Sequence, residues 1–339
     1  MTILVTGGLG YIGSHTVVEL LQNNFEVVII DDLSNTEKFI LKNIEEITGK
    51  KPIFYPFDLK RKELLKQVFD AHKIEGCIHF AAYKAVGESQ EKPIDYYENN
   101  LFSLINLLQE MKERNISNFI FSSSCTVYGQ ADTMPIDENT PLKLPESSYG
   151  KTKQMGEEIL KDFATAHQKK VTLLRYFNPI GAHPSAKLGE LPIGIPNNLV
   201  PYVMQTAAGV REKLSVWGND YPTEDGTAIR DYIYVVDLAK AHVKALQKLI
   251  SENSETLVDI YNLGTGKGSS VLEVVHAFEK ANDVAVPYQI CERRAGDITI
   301  AYANADKAEK ELGWKSETSL EEALRTVWQW QKYLETREK

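Results

Sequence analysis

The sequence is poor in three features that would each point to a particular class of protein. Its three cysteines, Cys77, Cys125 and Cys291, are odd in number and widely spaced, which argues against a disulfide framework, a C-x-x-C redox pair or a metal site. No apolar run reaches the roughly 18 residues that span a bilayer. Basic residues number 38 against 47 acidic ones, and the formal net charge of −9 disfavours binding to nucleic acid or to an anionic membrane. We therefore expect a cytoplasmic protein with no metal, nucleic-acid or membrane partner.

The chain does carry enough apolar sequence for a large core. Hydrophobic residues make up 43% of its 339 residues, and this length suggests two domains at roughly 150 residues each. Through the first half, short β-branched runs alternate with longer segments of helical periodicity, which is typical of βα units that build a parallel sheet. The predicted strands are Ile3–Val5, Val27–Ile30, Ile53–Tyr55, Cys77–Phe80, Phe119–Phe121 and Val171–Leu174.

The regular alternation stops after Phe177, where turn-rich stretches follow. We place a domain boundary here, with residues 1–177 as a first domain and residues 178–339 as a second, smaller lobe of mixed α/β structure. Later βα signals indicate that the chain crosses back. A segment of about 230–265 is therefore expected to return to the first domain.

A long helix is predicted over 93–114. Apolar residues recur there at steps of three and four and make one continuous stripe, and Pro93 suits the first helical turn. The stripe consists of Ile94, Tyr97, Leu101, Leu104, Leu108 and Met111. Packing on the sheet is the expected role, and the alternative that the stripe also forms a seam between subunits stays open.

A glycine-rich turn follows the first predicted strand directly and opens a helix. Gly7, Gly10 and Gly13 have the spacing of a dinucleotide-binding turn, in which the backbone approaches a pyrophosphate and the helix N-terminus binds its charge. Asp31 ends the second strand, where a carboxylate accepts hydrogen bonds from an adenosine ribose and repels a 2′-phosphate. The sequence thus predicts a doubly wound parallel sheet of the Rossmann type that binds NAD rather than NADP. Asp58, after the third strand, either contacts adenine or caps the next helix.

Tyr149 and Lys153 are four residues apart and therefore lie on one face of a predicted helix. An adjacent ammonium and a positively charged nicotinamide ring both stabilise a phenolate, which would make Tyr149 a usable base near neutral pH. Ser122, Ser123 and Ser124 follow the predicted fifth strand, where a hydroxyl can hydrogen-bond the reacting oxygen. Tyr-x-x-x-Lys alone is common, but its combination with the glycine turn and these serines, of which Ser124 is the candidate catalytic residue, predicts a catalytic site.

With these motifs the sequence resembles the extended short-chain dehydrogenase/reductase family over essentially the whole chain, and within it the enzymes that epimerise nucleotide sugars. The most specific stretches are Thr6–His15, Ser122–Gly129, Arg175–Gly181 and Gly218–Thr227. For an NAD site the resemblance implies, together with the residues derived above, Gly7, Gly10, Tyr11, Ile12, Gly13, Asp31, Asn35, Asp58, Leu59, Phe80, Ala81, Ala82, Tyr83, Lys84, Asn99, Tyr149, Lys153 and Phe177. For a UDP-sugar site it implies Ser124, Tyr149, Asn178, Asn198, Leu199, Ser215, Val216, Trp217, Arg230, Arg294, Asp297 and Ala301.

The reaction that the resemblance implies is inversion at C4 of a UDP-hexose, without net redox change, through a transient 4-keto sugar. Tyr149 takes the proton of the 4-hydroxyl, and NAD stays bound as the hydride carrier. Arg230 and Arg294 are implied to meet the diphosphate, a role that suits the paired donors of a guanidinium. The resemblance also implies a homodimer, built on the helix of 93–114 and the helix that contains Tyr149.

Other activities compete with this interpretation. A nucleotide-sugar dehydratase needs an Asp-Glu pair after the serine, and Cys125 and Thr126 stand there instead, which disfavours dehydration. Decarboxylation of a UDP-uronate is the enzymatic alternative, and a non-catalytic NAD sensor, which has no need of Tyr149 and Lys153, is the other. Ala301 stands where a bulky residue restricts the sugar pocket of related enzymes, so the resemblance further implies that UDP-GlcNAc and UDP-GalNAc are accepted.

Overall fold

The computed structural model describes residues 1–251, 257–294 and 297–337. Residues 252–256, within the segment predicted to return to the first domain, lie outside this part of the chain, as does Gly296, from which the position of Ala301 is counted. Among the described helices, none is both long and apolar enough to cross a membrane.

Seven parallel strands form the main sheet of the described chain. They are β1 (Thr2–Thr6), β2 (Glu26–Ile30), β3 (Ile53–Tyr55), β4 (Ile74–His79), β5 (Asn118–Ser124), β6 (Lys170–Tyr176) and β11 (Val258–Leu263). Their order across the sheet is β11-β6-β5-β4-β1-β2-β3. Neighbouring residues of β1 belong to two apolar clusters, Ile3 and Val5 to one and Leu4 to the other, because successive side chains point to opposite faces. The predicted doubly wound α/β fold is thereby confirmed.

The predicted strand Cys77–Phe80 is shifted in the structure. The strand begins at Ile74, which pairs with Thr2 of β1, and it ends at His79. Phe80 lies just beyond the end of β4, although its N–H still donates to Thr6 O at 3.0 Å. Pairing with β1 thus extends β4 at its N-terminal end by the residues from Ile74 to Gly76. These residues contain no β-branched run from which a strand could be predicted.

Helices cover both faces of this sheet, and further helices lie in the second half of the chain. They are α1 (Tyr11–Gln22), α2 (Phe39–Thr48), α3 (Lys62–Ala71), α4 (Val86–Glu91), α5 (Pro93–Glu113), α6 (Ser148–His167), α7 (Leu199–Ala207), α8 (Val235–Ser251), α9 (Val271–Asn282), α10 (Asp306–Leu312) and α11 (Leu320–Arg337). A 3₁₀ turn, Cys125–Tyr128, follows β5 directly.

The predicted helix over 93–114 is present as α5, but its apolar stripe is not one buried face. Leu104, Leu108 and Met111 are buried against the sheet, whereas Ile94 is 71% exposed. A stripe that repeats every seven residues drifts by about 20° per heptad around a helix of 3.6 residues per turn. Over the length of α5 this drift carries the first residues of the stripe away from the core.

The other described strands are short and lie between residues 178 and 301. They are β7 (Asn178–Ile180), β8 (Leu214–Trp217), β9 (Ile229–Arg230), β10 (Tyr232–Tyr234), β12 (Ser269–Ser270), β13 (Tyr288–Cys291) and β14 (Ile300–Ala301). They pair as β10-β7, β12-β9-β14 and β13-β8. β11 leaves this region and pairs with β6 along its whole length, from Val258 opposite Val171 to Leu263 opposite Tyr176. The domain boundary at residue 177 stays a prediction.

Candidate active site

The glycine turn between β1 and α1 is packed so closely that two of its positions exclude a side chain. Gly7 has a φ of +67°, and a Cβ there would lie 2.8 Å from the backbone N of Ala81 in the loop after β4. A Cβ at Gly13 would lie 2.1 Å from the carbonyl oxygen of Gly7. Helix α1 follows Gly10, and no described side chain caps its N-terminus. The free N–H groups of its first turn therefore form a cradle that fits a pyrophosphate.

Asp31 lies beside this turn, directly after β2. Its carboxylate accepts hydrogen bonds from the N–H groups of Leu9 and Leu33, both at 3.0 Å. Burial raises the pKa of Asp31, and these backbone hydrogen bonds partly oppose that effect. The carboxylate is thus held next to the cradle, at the place where the motif requires it.

Asp58 does not cap the next helix. α3 begins at Lys62 after Arg61, with no side-chain cap from the described residues, and the Asp58 carboxylate instead accepts from Lys60 N at 2.8 Å. The capping alternative for Asp58 is therefore wrong, because the chain makes a tight turn at 58–60 before the helix starts. The adenine contact stays a prediction.

Most of the other residues implied for NAD follow the carboxyl ends of β2, β3, β4 and β6, the edge at which open parallel sheets bind ligands. Tyr11 and Ile12 are the first two residues of α1. Phe80, Ala81, Ala82, Tyr83 and Lys84 form the loop after β4, with Ala81 against Gly7. Asn35 is exposed after β2, and Leu59 is buried after β3. Asn99 is buried on α5, and Phe177 is buried after β6.

The candidate catalytic residues meet at the end of β5 and the start of α6. Ser124 is the last residue of β5, and its Oγ accepts hydrogen bonds from the N–H and Oγ1 of Thr126 at 3.2 and 3.0 Å. Tyr149 stands in the first turn of α6. Lys153 follows one turn later, and its Nζ donates to Ser122 O at 2.6 Å and lies 5.9 Å from the centre of the Tyr149 ring. The three predicted residues are thus brought together.

Burial dominates the electrostatics of this group. It raises the pKa of Tyr149 to about 12, against a smaller lowering by a hydrogen bond with Ser124. It lowers the pKa of Lys153 to about 7, against a smaller raising by the Glu157 carboxylate. In the protein itself the ammonium is therefore not enough to make Tyr149 a phenolate at neutral pH, and a further positive charge beside the ring is needed.

The residues implied for the UDP-sugar fall into three groups. In the first, Arg230 of β9 stands opposite Ala301 of β14, and Asn178 N donates to the carbonyl oxygen of Asp231 at 2.9 Å. The second consists of Ser215, Val216 and Trp217 on β8 together with Arg294 and Asp297. Arg294 lies 5.9 Å from the centre of the Trp217 ring and donates from Nε to Asp297 Oδ2 at 3.0 Å. In the third, Asn198 precedes Leu199, the first residue of α7.

Two carboxylates that the sequence analysis missed organise these groups. Glu190, 12% exposed, accepts at one oxygen from Lys84 Nζ at 3.0 Å and from Asn198 Nδ2 at 2.7 Å. Asp231 is fully buried and accepts from the N–H groups of Thr265 and Ala303 at 2.8 and 3.1 Å. Asp231 could have been recognised as a candidate because it is an acidic residue directly before the aromatic strand Tyr232–Tyr234. No neighbouring sequence feature points to Glu190.

The chain is similar to known proteins over almost its whole length. The family model described as GDP-mannose 4,6 dehydratase matches residues 4–327. A UDP-glucose 4-epimerase of Bacillus subtilis is 53% identical over 332 residues, which cover 98% of this chain and 97% of that protein.

Solved structures give the same result. One is a UDP-glucose 4-epimerase of Bifidobacterium longum in complex with NAD⁺ and UDP, which superposes with a TM-score of 0.95 at 48% identity and covers 98% of each chain. Another, from Stenotrophomonas maltophila with bound NAD and formylated UDP-arabinopyranose, has a TM-score of 0.96 at 45% identity and covers 99% of each chain. The chain therefore belongs to the UDP-glucose 4-epimerase family, within the extended short-chain dehydrogenases/reductases.

Proposed function

We infer that this protein is an NAD-dependent UDP-glucose 4-epimerase, an isomerase that interconverts UDP-galactose and UDP-glucose. The observation that carries the inference is the meeting of Tyr149, Lys153 and Ser124 at the sheet edge that also bears the glycine turn. Relatives that share about half of the sequence over its full length carry the same name. NAD, held at the glycine turn and Asp31, supplies reversible two-electron oxidation of the sugar carbon C4.

We propose that the protein's own residues move the proton and hold the sugar. Tyr149 accepts the proton of the 4-hydroxyl and later returns it, while Ser124 hydrogen-bonds the same oxygen. The Lys153 ammonium, fixed on Ser122 O, stabilises the negative charge that develops on the phenol. Arg230 and Arg294 supply the positive charge that a diphosphate requires.

Competing activities find less support. In a dehydratase, an acid and a base must follow Ser124, and burial raises the pKa of the Cys125 thiol in that place to about 11. A protonated thiol and the Thr126 hydroxyl are poor partners for eliminating water at neutral pH. Decarboxylation of a UDP-uronate and NAD sensing without catalysis are not favoured by the relatives, which are named as 4-epimerases.

One incubation tests the function. Purified protein, with no NAD added, is mixed with UDP-galactose and the products are separated by chromatography. We expect UDP-glucose to form until equilibrium is reached, because the cofactor stays bound through the reaction. UDP-xylose formation from UDP-glucuronate in a parallel sample, without epimerisation of UDP-galactose, would support the decarboxylase instead.

We also propose a homodimer. Ile94, Leu101, Phe102 and Ile105 of α5 and Met155 of α6 present partly or fully exposed apolar side chains on two helices that pack side by side. Contiguous apolar surface of this kind is typical of a subunit interface. The proposal is tested by light scattering of the purified protein, in which one chain alone would weigh 38.2 kDa.

We further propose that the protein acts in the cytoplasm and that its sugar pocket admits N-acetylated hexosamines. All three cysteines are free thiols, as expected in a reducing compartment. Ala301, the smallest chiral side chain, lies beside Arg230 in the sheet register, so the wall of the candidate pocket is short there.

A further inference from the structure

A buried ion pair lies directly behind the candidate catalytic residues. Arg175 of β6 and Glu157 of α6 are both almost completely buried. Arg175 donates from Nε to Glu157 Oε1 at 2.8 Å and from Nη2 to Oε2 at 2.5 Å, so that it engages both carboxylate oxygens. Ser123, the neighbour of Ser124 on β5, donates its hydroxyl to Oε1 as well, at 2.5 Å.

The pair continues into a wider network. Arg175 Nη1 donates to the phenol oxygen of Tyr128 at 2.9 Å, and Tyr128 donates to Asn262 Oδ1 at 2.7 Å. The network thus joins β5, the 3₁₀ turn after it, α6, β6 and β11. Desolvation makes such a buried pair expensive, and replacing buried ion pairs by apolar residues of similar volume is often neutral or even stabilising. Its position next to the site therefore calls for a role other than stability.

Lys153 and Glu157 are one turn apart on the same face of α6, the spacing at which a lysine and a glutamate normally pair. Here Arg175 occupies the carboxylate, and the Lys153 ammonium donates to Ser122 O instead. We propose that Glu157 and Arg175 are positioning residues: by binding each other they keep the carboxylate from neutralising Lys153 and leave its positive charge directed at Tyr149. This inference rests on the proposed role of the Tyr149 and Lys153 pair.

The other groups that face Lys153 in the described structure are uncharged, so they cannot act on its pKa as the Glu157 carboxylate does. On β4, burial holds the pKa of His79 at about 3, so its imidazole is neutral, and its Nδ1 is paired with Thr6 Oγ1 at 2.7 Å. On β6, the phenol of Tyr176 bonds to Ser122 Oγ, and burial raises its pKa. On β5, the Phe121 ring centre lies 4.9 Å from Lys153 Nζ. Glu157 is therefore the carboxylate that acts on Lys153 in the described structure.

Two variants should shift the pKa of Lys153 in opposite directions. Glu157→Gln removes the negative charge of the carboxylate but leaves the positive charge of Arg175, so the pKa of Lys153 falls. Arg175→Gln frees the carboxylate to pair with Lys153, so the pKa rises. We expect each shift to reach roughly half a pH unit or more. NMR titration of protein labelled with ¹³C at the lysine ε-carbon measures the shift, with the Lys153 signal identified by its loss in Lys153→Met.

The NMR titration does not depend on turnover. If the wild-type protein has no epimerase activity, the proposed function is refuted, and the titration still decides whether the inference about Glu157 and Arg175 is correct. In active enzyme, the basic limb of the kcat profile should move with the pKa of Lys153, while KM for UDP-galactose changes less than twofold. Equal shifts in both variants, or no shift in either, would refute the inference.

Glu110→Gln is the matched control. Glu110 is a buried carboxylate of α5 that pairs with Arg114 at the opposite edge of the sheet, so its loss should leave the Lys153 signal unchanged. If Glu157→Gln does not fold, the double variant Glu157→Met with Arg175→Met removes both charges and keeps the volume. We expect it to fold and, because no carboxylate is left to neutralise Lys153, to keep kcat and KM within about threefold of wild type. A kcat reduced as far as that of Arg175→Gln would overturn the inference.

Discussion

Substitution of Ala301 by tyrosine is the sharpest test of the sugar pocket. Ala301 is 8% exposed and packs in a small cluster with Val127, Phe177 and Ala303, next to the Cys125 side chain. Tyr302 does not fill the same space, because its ring lies beside Gly268, whereas Ala301 and Ala303 share the other face of the segment. A ring at position 301 would therefore enter the space between Phe177 and the candidate sugar site.

The size of the effect follows from packing. Extra atoms in a filled site cost typically about 1–3 kcal/mol, which corresponds to a factor of roughly 5 to 140 in kcat/KM. An acetamido group adds several heavy atoms to the sugar and competes with the new ring for this space. A plain hexose does not, so Ala301→Tyr should lower kcat/KM for UDP-GalNAc by that factor and leave UDP-galactose within about threefold.

The assay compares both substrates in the same preparations. Wild-type enzyme should convert UDP-GalNAc at a rate within roughly tenfold of that for UDP-galactose. Ala301→Cys serves as a graded control with an intermediate side chain and an intermediate loss. The pocket argument is wrong if the wild type converts UDP-galactose readily but shows no turnover of UDP-GalNAc. Equal losses for both sugars in Ala301→Tyr would indicate a damaged fold instead, and would be visible as a lower thermal midpoint.

Other consequences can be checked on the same preparations. Tyr149→Phe keeps the ring but loses the proton acceptor, so kcat should fall by roughly 10² or more with UDP binding retained in calorimetry; activity within a few-fold of wild type would contradict the assignment. Because a carboxylate at the ribose would repel a 2′-phosphate, we expect enzyme stripped of cofactor to recover activity with NAD⁺ and not with NADP⁺; equal recovery would mean that Asp31 does not face the ribose. If the protein forms the proposed dimer, Phe102→Lys should convert it to a monomer in light scattering, whereas Ile53→Lys, on the exposed edge strand β3, should not. Lys153→Met should abolish turnover and yet raise the thermal midpoint, more at pH 6 than at pH 10, and an unchanged midpoint would contradict the burial effect.

Features that depend on neighbouring residues could be predicted from the sequence. The strand before the glycine turn, the turn itself and Asp31 follow from β-branched runs, steric limits on Gly7 and Gly13, and a fixed distance along the chain. Tyr149 and Lys153 could be placed on one helical face because that requires only the helical period. The start of β4 could not, because it is set by pairing with β1 and not by the residues 74–76 themselves.

Features that depend on distant partners could not be predicted. Glu190 meets Lys84 across 106 positions of sequence, and the chain offers many other carboxylates and cations for either residue. Asp58 illustrates the opposite error, since a carboxylate before a helix is typical of a cap, but a turn at 58–60 moves the start of α3 out of its reach. The local sequence pattern thus shows where a charged residue lies in the chain, whereas its partner is determined by tertiary packing.

At this site the burial of Lys153 and Tyr149 changes both the free energy of unfolding and the protonation states from which the reaction starts. The folded chain holds the pKa of Lys153 at about 7, whereas an exposed lysine titrates near 10.4. Between these values the unfolded chain binds more protons, so the free energy of unfolding rises with pH through this window, and below it the buried ammonium is a cost. Tyr149 shifts the other way: the folded chain keeps its proton up to about pH 12, and the free energy of unfolding falls as pH rises above about 10. Burial therefore favours the uncharged form of both groups. Formation of the Tyr149 phenolate thus depends on a positive charge that a bound cofactor would bring into the candidate active site.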